Sequence, residues 1–293
     1  MSVLLMTVWL TGCVQEEFES TPSPAGNGIR FTLTVPDVNL PSVSSRTMTG
    51  TGTAKKEDEI ETVDILVFDM SKTPAVFLEW VSATGVTQDL ADNSTVSFSA
   101  VLSPTTASTC IVVVANKELD NIVSGFTKGA TTKVEAMEKM LHTQTGKWLA
   151  DGSTTGGYTR IPMYGEKVIS KITPSMDPIT GINMKRMLAR IDIRNNSATS
   201  NFTVEEVYLA NYNTTGYIAP AWNTNGQVTD PVPDTPVLPA GSGKKTEEGD
   251  AILYSVNGNT PYDGEIYTFE SLAAEDAGGT GADGEASRKD ATC

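Results

Sequence analysis

Histidine and cysteine are scarce in this chain of 293 residues, which has one histidine, His142, and three cysteines. The cysteines form no Cys-x-x-Cys pair or Cys/His cluster, so their spacing supports neither a zinc site nor a disulfide framework. His142 follows the apolar stripe of a predicted helix, and we interpret it as a packed or solvated side chain. Walker, His-Glu-x-x-His, Gly-x-Ser-x-Gly and EF-hand motifs are all missing. We therefore expect no catalytic residues, no metal and no cofactor.

Basic residues are also in short supply. There are 21 Lys and Arg against 36 Asp and Glu, which gives a formal net charge of −15. Nucleic-acid backbones require a basic patch, so we expect no nucleic-acid partner. Hydrophobic residues make up 39% of the chain, which is typical of a globular protein. Thr, Ser, Gly and Asn are abundant, and this composition favours short strands joined by polar turns.

No apolar run is long enough to span a bilayer, but residues 3–10 have the length of a signal-peptide core. They lead into Leu10-Thr11-Gly12-Cys13, which resembles the bacterial lipobox, in which the cysteine is acylated. We predict a signal peptide over residues 1–13, lipidation at Cys13 and a polar tether over residues 14–27. The basic segment that usually precedes the apolar core is missing, so the true start is expected to lie upstream.

Alternating apolar and polar residues predict many short strands. In residues 29–35 the side chains of Ile29, Phe31, Leu33 and Val35 point to one face, as in a half-buried strand. Further strands are predicted at residues 60–68, 76–81, 95–102, 110–115, 161–172, 187–193, 202–210, 251–256 and 265–269. Such a series of strands predicts a mostly β fold built as a sandwich or barrel.

Two short helices interrupt the strands. One is predicted over residues 117–124, and the other begins at Thr132, which forms a capping box with Glu135, and runs to about His142. Trp80 is interpreted as a core residue, while Trp148 and Trp222 lie near polar loops and could pack or bind a sugar.

The last segment breaks the pattern. Residues 272–293 are rich in Ala, Gly, Asp and Glu, and such a composition cannot bury enough apolar surface to offset the entropy of ordering it. Our hypothesis is that the native reading frame is lost or the chain truncated near Leu272. A Gly-x-Gly-x-x-Gly pattern at Gly279 lies in this tail and follows no strand, so we interpret it as chance.

Several of these features occur in one order: the lipobox, the strand at 29–35, a Ser/Thr/Gly loop with Arg46, the strand Val63–Asp69, the Pro162–Glu166 segment and Met187–Ile193. Together they resemble the fimbrillin family of Bacteroidales, the subunits of type V pili. The resemblance implies two transthyretin-like β-sandwich domains with the helices in the first, here at residues 28–185 and 186–271, the second apparently incomplete. It also implies export as an outer-membrane lipoprotein and cleavage at Arg46 by an Arg-specific protease.

In this family, loss of the first strand opens a groove that a strand from another subunit fills. Here the displaced strand would carry Ile29, Phe31, Leu33 and Val35. The resemblance thus implies a non-enzymatic fimbrial subunit at the cell surface, with other pilus subunits and an unidentified surface receptor as partners. The tail is neither alternating nor apolar, so this chain is expected to accept a donor strand rather than supply one. The alternatives are a lipid-anchored glycan-binding protein and, with less support, a hydrolase.

Overall fold

The computed structural model describes residues 29–35, 57–88, 95–144, 146–148, 159–191, 206–229, 236–240, 242, 251–255 and 266–271. The fold is mostly β, with few helices and several sheets, which confirms the predicted class. Within the described ranges, no helix has the length and apolar character needed to cross a membrane.

Fifteen strands and two helices are described. In chain order they are β1 (Ile29–Thr34), β2 (Val63–Asp69), β3 (Val76–Ser82), β4 (Thr84–Gln88), β5 (Thr95–Ala100), β6 (Thr109–Ala115), α1 (Asp120–Val123), α2 (Lys133–Lys139), β7 (Leu141–Thr143), β8 (Met163–Ile169), β9 (Ile179–Asn183), β10 (Lys185–Arg186), β11 (Leu188–Ile191), β12 (Glu206–Leu209), β13 (Thr215–Tyr217), β14 (Ile252–Ser255) and β15 (Ile266–Phe269).

Two sheets form the body of the first half of the chain. The first sheet has the strand order β4-β5-β1-β9, and the second has the order β10-β8-β6-β2-β3. Their facing side chains build one continuous core that includes Leu33, Val67, Phe98 and Val113. Two sheets that share such a core are a β-sandwich.

The central strands of the second sheet, β2 and β6, are buried on both faces. Strand β6, Thr-Cys-Ile-Val-Val-Val-Ala, is buried at every position, and its continuous apolar run suits a strand with no solvent face. Ile111 and Val113 point to the first sheet. Val112 and Val114 point to a second core, which they share with Met137 of α2 and with residues from the later part of the chain, among them Ile218, Tyr267 and Phe269.

Helix α2 begins as the sequence predicts and ends earlier. Thr132 accepts a hydrogen bond from the Glu135 amide, and the Glu135 side chain accepts one from the Thr132 amide, so the capping box is confirmed. The prediction that the helix continues to His142 is wrong. Residues 141–143 are extended, and their backbone pairs antiparallel with Thr215–Tyr217. A partner strand remote in sequence therefore takes over the backbone hydrogen bonds that the helix would have made.

The later part of the chain is described as paired strands. Strands β11 and β15 pair antiparallel, as do β12 and β14. A small core of Leu209, Tyr212, Ile252, Tyr254 and Ile266 lies beneath them. The division into domains at residues 185 and 186, like the separate tail from residue 272, remains a prediction.

Candidate functional site

Strand β1 lies in the interior of its sheet, although it is the first of the described strands. It pairs antiparallel with β5 on one side, from Ile29 opposite Ala100 to Thr34 opposite Thr95. On the other side it runs parallel to β9, where Phe31 is opposite Ile179 and Leu33 is opposite Ile182. Removal of β1 would therefore leave a gap between two strands, rather than shorten the edge of the sheet.

The inward face of β1 is fully packed. Ile29, Phe31, Leu33 and Val35 are each 5% exposed or less. The Phe31 ring stacks on Phe98 of β5, with ring centroids 5.0 Å apart and planes 7° apart. The outward residues Arg30 and Thr34 are exposed. The predicted strand and its alternation are thus confirmed, and the sequence pattern correctly identified the buried face.

The gap would be both apolar and rich in unpaired backbone groups. Its floor would consist of side chains from the second sheet, including Ile65, Val67 and Val113, which share a core with β1. Its sides would be the backbones of β5 and β9. Next to β9, the Met184 amide, which donates to the Thr34 carbonyl at 2.9 Å, would lose its acceptor. A trench with free N–H and C=O groups on both sides is the template for another extended strand.

Two of the predicted site residues cannot be placed. Cys13 and Arg46 both lie outside the described residues, so lipidation at Cys13 and cleavage at Arg46 stay predictions. Arg46 falls between Val35 and Glu57, the described residues that precede and follow it.

His142 is packed among aromatic rings. Its ring centroid is 5.0 Å from that of Trp148 and 6.4 Å from that of Phe269. Burial, together with the positive charge of Lys117, lowers the pKa of His142 to about 4, so the imidazole is neutral near neutral pH. Its Nδ1 atom is buried, and it has no hydrogen-bond partner among the described residues. These features fit the interpretation of His142 as a packed residue.

The positions of the tryptophans agree only in part with the interpretation from the sequence. Trp148 is 3% exposed, and its indole Nε1 donates to the Thr159 carbonyl at 2.9 Å, so it cannot offer a ring to a sugar. Trp222 is half-buried and meets Tyr217 edge to face, with centroids 4.9 Å apart. Trp80 is half-buried against the second core rather than enclosed in it.

A buried polar cluster escaped the sequence analysis. The Lys133 ammonium has no exposed side-chain surface and lies 2.5 Å from the Glu166 carboxylate. Lys133 also donates to the Gly226 carbonyl at 2.6 Å, and Glu166 accepts hydrogen bonds from the Tyr164 hydroxyl at 2.6 Å and from the Val228 amide at 3.2 Å. The only sequence signal is a lysine at the first position of α2, where a solvent-exposed residue would be expected.

This cluster ties the loop at residues 226–228 to the second sheet rather than preparing a reactive group. Burial and the Glu166 charge raise the pKa of Tyr164 well above its usual value, so its hydroxyl stays protonated and donates. Burial likewise raises the pKa of the neighbouring Cys110 thiol to about 12, so Cys110 is a packed, unreactive strand residue, as its sequence context indicates. Among the described residues, no group of three or more His, Cys, Asp or Glu side chains could hold a metal ion.

Comparison with known proteins gives the family. A family model described as the major fimbrial subunit protein (FimA) matches residues 29–185. This match starts at the first residue of β1 and includes both sheets of the sandwich. A comparison with curated proteins finds no significant match.

Three solved structures to which this chain is similar come from Parabacteroides distasonis and Bacteroides thetaiotaomicron. A fimbrial assembly protein from Parabacteroides distasonis is 12% identical, with a TM-score of 0.38, and the alignment covers 81% of this chain and 88% of the other. A protein of the same organism, named for cell adhesion, is 18% identical, with a TM-score of 0.44 and coverages of 86% and 72%. A Bacteroides thetaiotaomicron structure, named for polysaccharide binding, is 12% identical, with a TM-score of 0.34 and coverages of 65% and 60%. Because the family model matches more than half of the residues of this chain, the chain belongs to the family of the major fimbrial subunit proteins.

Proposed function

We propose that this protein is a structural subunit of a surface fimbrium that polymerises by strand exchange. In this proposal the chain is exported as a lipoprotein acylated on Cys13 and held at the outer membrane by the lipid. An Arg-specific protease then cuts after Arg46, β1 leaves, and a strand from another pilus subunit takes its place. The fibre supports adhesion to a receptor that is not identified.

The interior position of β1 is the observation that carries this proposal. It is the first of the described strands, so a single cut after Arg46 separates it from all the other strands of the sandwich. Four apolar side chains buried in this way contribute on the order of 6–12 kcal/mol before ordering costs. An incoming strand with the same alternation would recover that free energy, which is enough to hold a polymer of repeated units.

The groove also explains why β1 must be replaced rather than simply lost. Once β1 has left, β5 and β9 each present unpaired backbone groups beside an apolar trench, and such an edge associates with any available strand. Main-chain hydrogen bonds would give the affinity, and the alternating side chains would set the register.

The rival function, glycan binding by an anchored surface protein, has less support in the structure. Trp148, one of its two candidate contact residues, is enclosed in the second core. Trp222 remains half-buried and is the residue that this alternative would have to use.

The test is to exchange β1 for a synthetic strand. The full chain is treated with an Arg-specific protease, its new N-terminus is sequenced, and a fluorescent peptide of residues 28–36 is added in excess under mild denaturant. We expect a new N-terminus at Thr47 and uptake of the peptide in a complex that resists SDS. The matched controls are the Arg46→Ala protein, which should remain uncut, and a peptide with serine in place of Phe31 and Leu33, which should not enter. Strand exchange would be refuted if the protein is cut after Arg46 but takes up neither the native nor the serine-substituted peptide, or takes up both equally.

A further inference from the structure

Residues 57–62, which we call the brace, are held firmly although they form no helix or strand. They come after Arg46 in the chain and lead into β2. The sequence predicts the strand from residue 60, but it begins at Val63, so residues 60–62 lie outside it. A segment without regular structure must satisfy its backbone groups through other partners, and here side chains from distant parts of the chain provide them.

Gln88 makes two of these contacts. Its Nε2 donates to the Asp58 carbonyl at 2.7 Å, and its Oε1 accepts from the Ile60 amide at 3.1 Å. Gln88 is the last residue of β4, and it lies opposite Val96 of β5. The brace is therefore joined, through a single side chain, to the β5 side of the first sheet.

Arg186 makes the corresponding contact on the other side. Its Nε donates to the Glu57 carbonyl at 3.1 Å. Arg186 belongs to β10, an edge strand of the second sheet that pairs with β8 and is separated from the end of β9 only by Met184. The same turn of chain carries Met184, whose amide donates to Thr34 at the end of β1. The brace is thus joined to β10 of the second sheet, and through the one-residue link at Met184 to the end of β9, near the end of the groove where β1 leaves.

Further contacts fasten the middle of the brace and its first side chain. Asn116, at the end of β6, donates to the Glu59 carbonyl at 2.8 Å and accepts from the Glu61 amide at 3.0 Å. The buried Glu57 carboxylate accepts from Arg190 of β11 and from the Tyr267 hydroxyl of β15, both at 2.6 Å. The brace is therefore anchored to the second sheet and to the later part of the chain as well.

We infer that the brace holds the two walls of the groove, β5 and β9, at the spacing of the intact sandwich while β1 is absent, so that the groove can receive a strand. This inference rests on the proposed strand exchange and extends it, because exchange requires an intermediate that has lost one strand but stays folded. In the uncut protein β1 itself joins β5 to β9, so the brace is partly redundant. After cleavage its contacts through Gln88 and Arg186 remain.

The experiment compares Gln88→Ala with Gln227→Ala, before and after cleavage. Gln227 is an exposed glutamine outside the brace, so its variant makes the same chemical change elsewhere. The readouts are the affinity of the cut protein for the fluorescent peptide of residues 28–36 and the melting temperatures of the cut and uncut forms. We expect Gln88→Ala to weaken peptide binding at least tenfold, and to lower the melting temperature of the cut form more than that of the uncut form. Gln227→Ala should match the wild type in each measurement.

The outcomes separate the two proposals. If cut wild-type protein takes up no peptide, strand exchange itself fails. If it does take up the peptide, and cut Gln88→Ala binds equally well, the brace is refuted while strand exchange stands. Equal shifts of melting temperature in the cut and uncut forms of Gln88→Ala would also refute the brace, because an ordinary stabilising contact acts on both forms alike. A loss of peptide affinity in Gln227→Ala as large as that in Gln88→Ala would refute it as well. If uncut Gln88→Ala does not fold, Gln88→Met, which keeps the side-chain volume and removes both hydrogen bonds, replaces it in the same comparison.

Discussion

Truncation of Phe31 is the most direct test of how β1 is held. Phe31 is 1% exposed, and its ring stacks on Phe98 with centroids 5.0 Å apart. Changing a buried phenylalanine to alanine costs about 3–5 kcal/mol, because the transfer free energy is lost and a cavity remains. We expect Phe31→Ala to lower the free energy of unfolding of the uncut protein by this amount, measured by urea denaturation followed by tryptophan fluorescence.

The matched control is Thr32→Ala, the next residue along the strand, whose side chain points away from the core and is half-buried. Its effect should stay within about 0.5 kcal/mol, as for other substitutions outside the core. The same two variants should be indistinguishable from the wild type once β1 has been cut away and removed, because neither residue is then present. A loss below about 1 kcal/mol in uncut Phe31→Ala would refute the packing of β1 between β5 and β9, and with it the groove.

Two further predictions concern the second core. The folded state holds His142 neutral, because burial lowers its pKa to about 4 from the ordinary value of 6.5, so the unfolded chain takes up the proton first as the pH falls. His142 should therefore lower the free energy of unfolding by about 1–2 kcal/mol, after allowance for solvent screening, as the pH falls from 6.5 to 4. The His142→Gln variant does not titrate, so paired urea titrations should show no such pH-dependent loss in it. A pH profile unchanged in His142→Gln would contradict this assignment. Lys133→Met should lower the free energy of unfolding by about 3–5 kcal/mol, because it leaves the Glu166 carboxylate without its cation. Glu166→Gln should lower it less in the Lys133→Met protein than in the wild type. Additive losses in this double-mutant cycle would show that the two groups are not coupled.

Local sequence patterns predicted the strands and helices correctly where the periodicity or capping of a short segment determines its structure. The alternation at Ile29–Val35 identified both β1 and its buried face, and the apolar run at Cys110–Ala115 identified β6. The capping box at Thr132 located the start of α2, because the two reciprocal hydrogen bonds are local. The same local reasoning missed β4 and β9. Each contains a glycine with positive φ, Gly85 and Gly181, which is typical of a turn, and their pairing with β5 and β1 compensates for it.

The amino-acid sequence alone determined that this is a mostly β chain and which side chains of its first strand face the core, because both follow from periodicity within a few residues. Its resemblance to the fimbrillin family, carried by the order of its motifs, agrees with the family match. Only the tertiary structure decided that β1 lies between two other strands. It also decided that His142 belongs to a strand, and that Gln88, Asn116 and Arg186 meet at residues 57–62. These features depend on contacts between residues far apart in the chain, and no local pattern specifies which distant backbone will satisfy a given hydrogen bond.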